Sequence, residues 1–463
     1  MNLSRYILKY STDDGTLYFN TKTNHSFFLT NELNRVVDSN DVIRKEFHAY
    51  LDKNKYLSEG EYEVEKYLSK ISDTDAELLE LTILTHGDCN FRCKYCYEKF
   101  ENIAMSTETE DAIVQFLKEK LQSGKYKYLS VGWFGGEPLL GYKTIKRLSP
   151  VFIDLCEKYQ IHYQSAITTN GYLLTKNKFR YLNEKFKVTS YQITLDGDEE
   201  SHNNQRVLQN GGLSYNRIFD NLKAMQESKF DFICVIRFNV SKDNYQNVKE
   251  FLTHDGIYFK DDSRFKISYH NIGNWGKGDR DINYCVTLLD KDASFELSKL
   301  AVTSGYHISS PEVVVNNNYT CYSNRKNHFM FNVRGIVQSC TVALYEPQNI
   351  FGNINKGFVN YSKLNDWVIR LDASCKECPF VLICKSGYCP MAKRITKTNS
   401  RYLCKSVKEK IRKNLALFAL SKSYNDILMW TRKEDIMKVK VNNKFDDKMN
   451  AKPRVLNYNC DCK

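Results

Sequence analysis

Six apolar, β-prone runs mark the middle of the chain, each rich in branched or aromatic residues. They are "LELTILTH" (79–86), "YLSVGWFGG" (128–136), "YQSAITTNG" (163–171), "SYQITLDG" (190–197), "DFICVIRFNV" (231–240) and "RFKISYHNI" (264–272). Between them lie helix-like stretches at 106–123, 143–158, 175–186, 214–228 and 244–253. Strand, helix, strand with short polar joints predicts a parallel sheet with crossover helices. The expected fold class is α/β, either a doubly wound sheet or an open barrel, and in both the chemistry gathers at the carboxyl ends of the strands. The unusual residues fall there: a cysteine triplet after the first run, "GGEP" (135–138) after the second, "TTNG" (168–171) after the third and "LDG" (195–197) after the fourth. Each alone is an ordinary turn by composition. Four at successive strand ends of one face point to a site. A Gly-Gly pair lets backbone come close to a ligand, and Glu137 beside it can accept hydrogen bonds from an ammonium group.

The flanks carry different patterns. Residues 1–75 read as three short strands (6–10, 16–20, 25–30) followed by helical stretches near 31–37, 41–52 and 62–70, a small α+β unit. Beyond residue 405 the chain is lysine-rich and helical, with Leu415, Leu417, Phe418 and Leu420 as a core-facing stripe, before a polar end. At 463 residues, with 42% hydrophobic and 13% aromatic content, the chain affords several cores and is globular in composition. The net charge of +12 is spread along the chain. That argues for an acidic or peptidic partner and against nucleic acid. The start lacks a signal-peptide core, and no run reaches the ~18 apolar residues that span a bilayer, so the expected location is the cytoplasm, with no membrane partner.

In a reducing compartment the fifteen cysteines read as ligands or catalytic groups rather than disulfides. The stretch "CNFRCKYCYEKF" presents Cys89, Cys93 and Cys96. Three thiolates do not complete a tetrahedral zinc site, but they can hold three irons of a 4Fe–4S cluster and leave the fourth open to a chelating ligand. This CxxxCxxC spacing, with Tyr95 just before the last cysteine, resembles the signature of the radical S-adenosylmethionine (SAM) enzymes. The resemblance extends through "GGEP", "TTNG" and "LDG…HNNQR", over about residues 79–272. It implies a partial (β/α)6 barrel over 76–275, a SAM-binding 4Fe–4S cluster, and hydrogen abstraction from substrate by a 5′-deoxyadenosyl radical. By motif position, Gly135, Gly136 and Glu137 would hold the methionine amino end, Thr169 and Asn170 the ribose or methionyl portion, and Arg206 the carboxylate. Tyr95 and Asp196 count among the expected cofactor contacts, and His202 is expected at the site rather than in the core.

A second cysteine-rich region, 321–405, follows a bridging segment, 276–320. It contains Cys321, Cys340, Cys375, Cys378, Cys384, Cys389 and Cys404. The pattern resembles the SPASM extension, which implies two auxiliary 4Fe–4S clusters: Cys321, Cys340 and Cys389 on the first, and Cys375, Cys378, Cys384 and Cys404 on the second. Four residues separate Cys384 from Cys389 where three are commoner in the extension. Zinc is the competing reading of the CxxC pair and its followers. Cys156 and Cys234 fit buried, inert thiols. Cys285 is undecided, and Cys460 and Cys462 lie on a polar terminus. Residues 1–75 resemble the small winged-helix-like domains that bind the leader segment of ribosomally made precursor peptides. The expected activity is therefore that of a peptide maturase forming a thioether or carbon–carbon cross-link, with a flavodoxin or ferredoxin as electron donor. The alternatives are an anaerobic sulfatase maturase making formylglycine from Cys or Ser, and a non-catalytic iron–sulfur carrier or scaffold. The catalytic base is not readable.

Overall fold

A computed structural model describes residues 2–273, 292–309, 321–385, 388–421 and 426–428. All six runs are strands. Numbered with the three strands that precede them and the short strands between, they are β4 (Leu78–Leu84), β6 (Tyr128–Phe134), β7 (His162–Thr169), β8 (Val188–Thr194), β10 (Ile233–Val240) and β11 (Phe265–Asn271). They pair in parallel in the order β11-β10-β8-β7-β6-β4. One face of each strand is apolar. Leu81, Ile83, Val131, Trp133, Ile167, Tyr191, Ile193, Ile236 and Phe238 are almost fully buried. Burying each such side chain contributes about 1.5–3 kcal/mol.

The helices that return the chain lie over this face, and their starts are written in the sequence. Ser106 caps α4 (Thr107–Gln122) by accepting from the Thr109 amide, and Thr175 caps α6 (Lys176–Glu184) from the Lys178 amide. Between them α5 (Tyr142–Lys158) packs Phe152 parallel to Trp133 at 6.3 Å. α7 (Glu199–Gln205) is capped by Asp198, and α8 (Tyr215–Gln226) and α9 (Tyr245–Glu250) complete the crossovers. Cys156 and Cys234 lie in this core, as the sequence suggests.

The sheet does not stop at β4. A further strand, β12 (His328–Phe331), pairs in parallel with β4, and antiparallel β13 (Ile336–Gln338), β14 (Gly352–Asn353) and β15 (Phe358–Val359) carry the sheet on to ten strands. The second cysteine-bearing region is thus continuous with the barrel sheet. A small two-stranded pair, β5 (Phe91–Cys93) with β9 (Arg206–Leu208), sets Cys93 opposite Arg206.

At the front, β1 (Ile7–Ser11), β2 (Gly15–Asn20) and β3 (Ser26–Thr30) form an antiparallel sheet, followed by α1 (Asn31–Ser39), α2 (Asp41–Lys53) and α3 (Glu63–Ala76). Its edge at β3 is covered by the chain's own β16 (Asp426–Leu428), in parallel. One face packs on α1 and α2 through Phe27, Leu33, Ile43 and Phe47. The other, through Leu8, Phe19 and Phe28, meets the long helix Ser400–Leu420 at Val407, Ile411 and Leu415. The stripe on that helix is core-facing, and it serves two cores: Leu415 and Phe418 join the front sheet, Leu417 and Leu420 the barrel.

Candidate functional site

A cavity of about 610 Å³ opens at the carboxyl ends of the strands. Cys89, Cys93 and Cys96 line it together, with Tyr95, Gly135, Gly136, Thr169, Asn170 and Arg206. Its inner wall comes from inward-facing strand positions, chiefly small and neutral: Thr82, Gly132, Ala166, Gln192 and Thr194. That alternation of small polar with large apolar residues leaves the room for a ligand.

The triplet is held by its own neighbours. The Cys89 amide donates to Asp88 Oδ1 at 2.7 Å, Arg92 pairs with the same carboxylate at 3.0 Å, and Cys89 Sγ accepts from the Phe91 amide at 3.3 Å. The Asn170 side chain donates to Cys89 Sγ at 3.6 Å and to Asn90 Oδ1 at 2.8 Å. Burial raises the pKa of all three thiols, and the cysteines raise one another: Cys93 acts on Cys89, and Cys93 and Cys89 on Cys96. Without metal these thiols are protonated, so iron binding must displace their protons. Among the described residues no three Cys, His, Asp or Glu side chains converge as a single ion requires. The thiols instead share a cavity wall.

Gly135 and Gly136 make the turn after β6 at φ +86° and +45°. A Cβ on Gly136 would stand 2.1 Å from the Asp88 carbonyl oxygen, so only glycine brings this backbone against the cysteine loop. The Gly136 amide donates to Glu98 Oε2 at 2.8 Å.

Two expected acidic contacts turn away from the cavity. Glu137 is fully buried, and its carboxylate accepts from Thr169 Oγ1 at 2.7 Å, the Asn170 amide at 2.8 Å and the Leu139 amide at 2.9 Å. It holds the "TTNG" turn against the "GGEP" turn and is not on the cavity wall, because these three donors bind a buried carboxylate better than an open cavity does. Asp196 is likewise fully buried. Its Oδ2 accepts from Tyr95 Oη at 2.5 Å and its Oδ1 from the Asn239 amide at 2.8 Å.

The Tyr95 hydroxyl is saturated. It donates to Asp196 and accepts from Arg206 Nη1 at 2.8 Å and Asn239 Nδ2 at 3.0 Å. A phenol offers one donor and two acceptor positions, so none is left for a ligand. Tyr95 therefore bridges Asp196 and Arg206. Burial opposes the Arg206 charge, but Tyr95, Cys93 and Asp196 raise its pKa overall. Its Nε is buried without a partner. His202, expected at the site, is fully buried behind it. It bonds the Asp196 amide at 3.3 Å and Ser214 Oγ at 3.2 Å. Burial, then Arg206, keeps it neutral. It braces the Asp196 turn rather than facing the cavity.

Glu98, Arg237 and Asn239 are among the cavity residues that escaped the motifs. Arg237 and Asn239 sit on alternate positions of β10, and the period of two along "VIRFNV" carries that signal.

In the second region, Cys340 and Cys389 act on Cys321, whose thiol burial pushes up to about 12, and Cys389 acts on Cys340. Tyr388, also raised to about 12, chiefly by burial, is close to Cys375, Cys384 and Cys404. Cys378 and Cys384 pack against one hydrophobic cluster with Tyr388. Cys321, Cys340 and Cys389 thus influence one another, and Cys375, Cys384 and Cys404 each influence Tyr388. Cys285, Cys460 and Cys462 lie outside the described residues.

Comparison with known proteins agrees with the fold. Residues 83–254 match the model of the Radical SAM superfamily. The radical SAM cyclopropyl synthase TigE of Paramaledivibacter caminithermalis is 24% identical over 398 residues, covering 79% of this chain and 78% of that protein. A cysteine-type anaerobic sulfatase-maturating enzyme of Clostridium novyi is 23% identical over 372 residues, covering 71% of this chain and 93% of that one. The solved structure of native anSMEcpe with bound AdoMet and the Cp18Cys peptide superposes with a TM-score of 0.53 at 21% identity, covering 74% of this chain and 99% of that chain. No described helix is long and apolar enough to cross a membrane. The superfamily implies one 4Fe–4S cluster and SAM, and the residues fit them. Three thiols share a wall, a glycine turn brings backbone alongside, and a buried guanidinium nitrogen lacks a partner.

Proposed function

We propose that this radical SAM enzyme modifies a ribosomally synthesised precursor peptide, forming a carbon–carbon or thioether cross-link. The observation that carries the reading is the shared cavity, which the cysteine triplet, the Gly135–Gly136 turn and Arg206 line together. When bound, the cluster and SAM supply a carbon radical that abstracts an unactivated hydrogen, chemistry that side chains do not provide.

The chain's residues do the rest. Cys89, Cys93 and Cys96 would ligate the cluster, with Asn170 fixing Cys89. Arg206, held by Tyr95, would take the SAM carboxylate through its unpaired nitrogen, and the Gly136 backbone with Glu98 would face the amino group. Cys321, Cys340 and Cys389, and separately Cys375, Cys378, Cys384 and Cys404, would hold two auxiliary clusters. The front sheet would receive a leader segment at its β1 edge, since β16 already covers β3 and a sheet edge accepts an extended peptide through main-chain hydrogen bonds.

The cyclopropyl synthase relative, alike over most of both chains, supports a bond-forming reaction. Formylglycine formation is the second reading, supported by the sulfatase-maturing relative. The test is anaerobic purification and reconstitution, followed by assay of iron, sulfide and zinc per chain and of 5′-deoxyadenosine released from SAM under dithionite. About twelve irons, as three four-iron clusters require, together with SAM cleavage are expected. About four irons with bound zinc would overturn the auxiliary-cluster assignment, and no cleavage would overturn the enzymatic reading.

A further inference from the structure

Among the described residues of the parallel strands that line the cavity, Arg237 alone carries a charge. It stands on β10 level with Thr194 of β8 and Ser268 of β11. Its Nε donates to Asn239 Oδ1 at 3.0 Å, and no other hydrogen bond or carboxylate partner holds it among the described residues. Burial opposes its charge, against weaker support from Tyr97, Tyr95 and Asp196, and Arg206 adds a smaller opposition.

The contrast with Arg206 is informative. Arg206 faces Cys93 across the β5–β9 pair and is committed to the Tyr95 network. Arg237 reaches that network only through Asn239 and also lies close to Tyr97, and Tyr97 to Tyr322, so its neighbourhood extends toward Cys321 and Cys340. A half-buried guanidinium with no carboxylate in contact is costly, and its planar fork matches a carboxylate in two parallel bonds. A barrel wall otherwise small and neutral gains nothing from that cost unless a ligand repays it.

We propose that Arg237 recognises a carboxylate of the peptide substrate, so that the modified segment brings an acidic side chain or a free C-terminal carboxylate into the cavity. The inference rests on the peptide-modifying reading above. It makes Arg237 a specificity residue and leaves the cofactor's carboxylate to Arg206.

The test uses the full-length, anaerobically reconstituted protein with SAM present. Four probes are titrated calorimetrically: N-acetyl-glutamyl methylamide, its glutaminyl counterpart, N-acetyl-alanyl-alanine, and the amide of that dipeptide. Wild type is expected to bind one acidic probe at least about tenfold more tightly than its neutral partner, a difference of about 1.4 kcal/mol. The glutamyl pair and the dipeptide pair tell a side chain from a C-terminus. Arg237→Gln should abolish the discrimination, Arg237→Lys should keep part of it, and SAM affinity should shift less than about threefold in both. Equal binding of acid and amide by wild type, or no binding of either acid, overturns the proposal. So does an Arg237→Gln protein that loses SAM affinity about tenfold while still discriminating, because Arg237 is then the cofactor's arginine. SAM cleavage by wild type, measured in parallel, reports separately on the enzymatic reading on which the peptide-modifying one rests.

Discussion

Replacing Tyr95 with Phe removes one oxygen and nothing else of consequence to packing. That oxygen gives Asp196 a hydrogen bond at 2.5 Å and receives others from Arg206 at 2.8 Å and Asn239 at 3.0 Å. Asp196 keeps only the Asn239 amide, and Arg206, whose Nε is already unpartnered, loses its Nη1 acceptor. A buried donor or acceptor left unmade costs about 1–3 kcal/mol, more when charged. Two charged groups are affected, but one of them, Arg206, borders a cavity that water can enter, so the expected loss is about 3 kcal/mol. The assay is the urea midpoint of the barrel transition, followed by hydrogen exchange at the Asp196 turn. Exposed Tyr181→Phe, which touches no such network, is expected within about 0.5 kcal/mol of wild type. Because Tyr95 orients Arg206, equilibrium dialysis should also show SAM affinity of the reconstituted protein falling about tenfold. A Tyr95→Phe protein as stable as the Tyr181→Phe control, with unchanged SAM affinity, would refute the bridging role.

Three further outcomes are expected. Gly136→Ala places a methyl 2.1 Å from the Asp88 carbonyl at a positive φ, so the cysteine loop must shift; iron per chain after reconstitution should drop by about four, and full loading would show that the turn adapts. Leu428→Asp puts a charge where a leucine is 2% exposed beside β3, so exchange at Ser26–Thr30 should accelerate at least about tenfold, and unaltered exchange would mean that β16 adds nothing to the edge. His328, buried between Thr82 and Ser339, is pushed down to about 3 by burial and then Arg325. A lowered folded pKa means that stability present above the unfolded value, about 6.5, is lost as pH falls toward 3. His328→Gln should therefore shallow the loss in that window by up to about 1.4 kcal/mol per pH unit, and identical slopes in urea titrations would contradict it.

The strands and the strand-end turns were legible because apolar runs of fixed length, bounded by Gly, Asn and Asp, have few other folds available. Two things were not legible for a physical reason. The direction of a carboxylate is decided by donors far away in sequence: Glu137 looks like a ligand-facing acid beside "GG", yet Thr169 and Asn170 claim it from the next loop. Strand partners are equally non-local. "HFMF" (328–331) is too short to stand out, and only the open edge of β4 makes it a strand. Arg237 escaped the motifs, although a charge inside an apolar alternation is a local conflict that marks a site more often than an error.

The charges around the cavity fall into two kinds. Glu137 is satisfied by three donors, and Asp196 and Arg206 are bridged through one tyrosine hydroxyl. These hold the loops after β4, β6, β7 and β8 in one arrangement, and removing any of them leaves a partner buried and unpaired. Glu98 and Arg237 line the cavity with one hydrogen bond each, to the Gly136 amide and to Asn239. Burial raises the first and lowers the second, so each disfavours its own charge until a partner of opposite sign arrives. A ligand set that brings an ammonium to Glu98 and a carboxylate to Arg237 relieves both. SAM and an acidic probe are therefore each expected to raise the midpoint of urea unfolding, and no gain from the acidic probe would contradict a role for Arg237 in holding an anion.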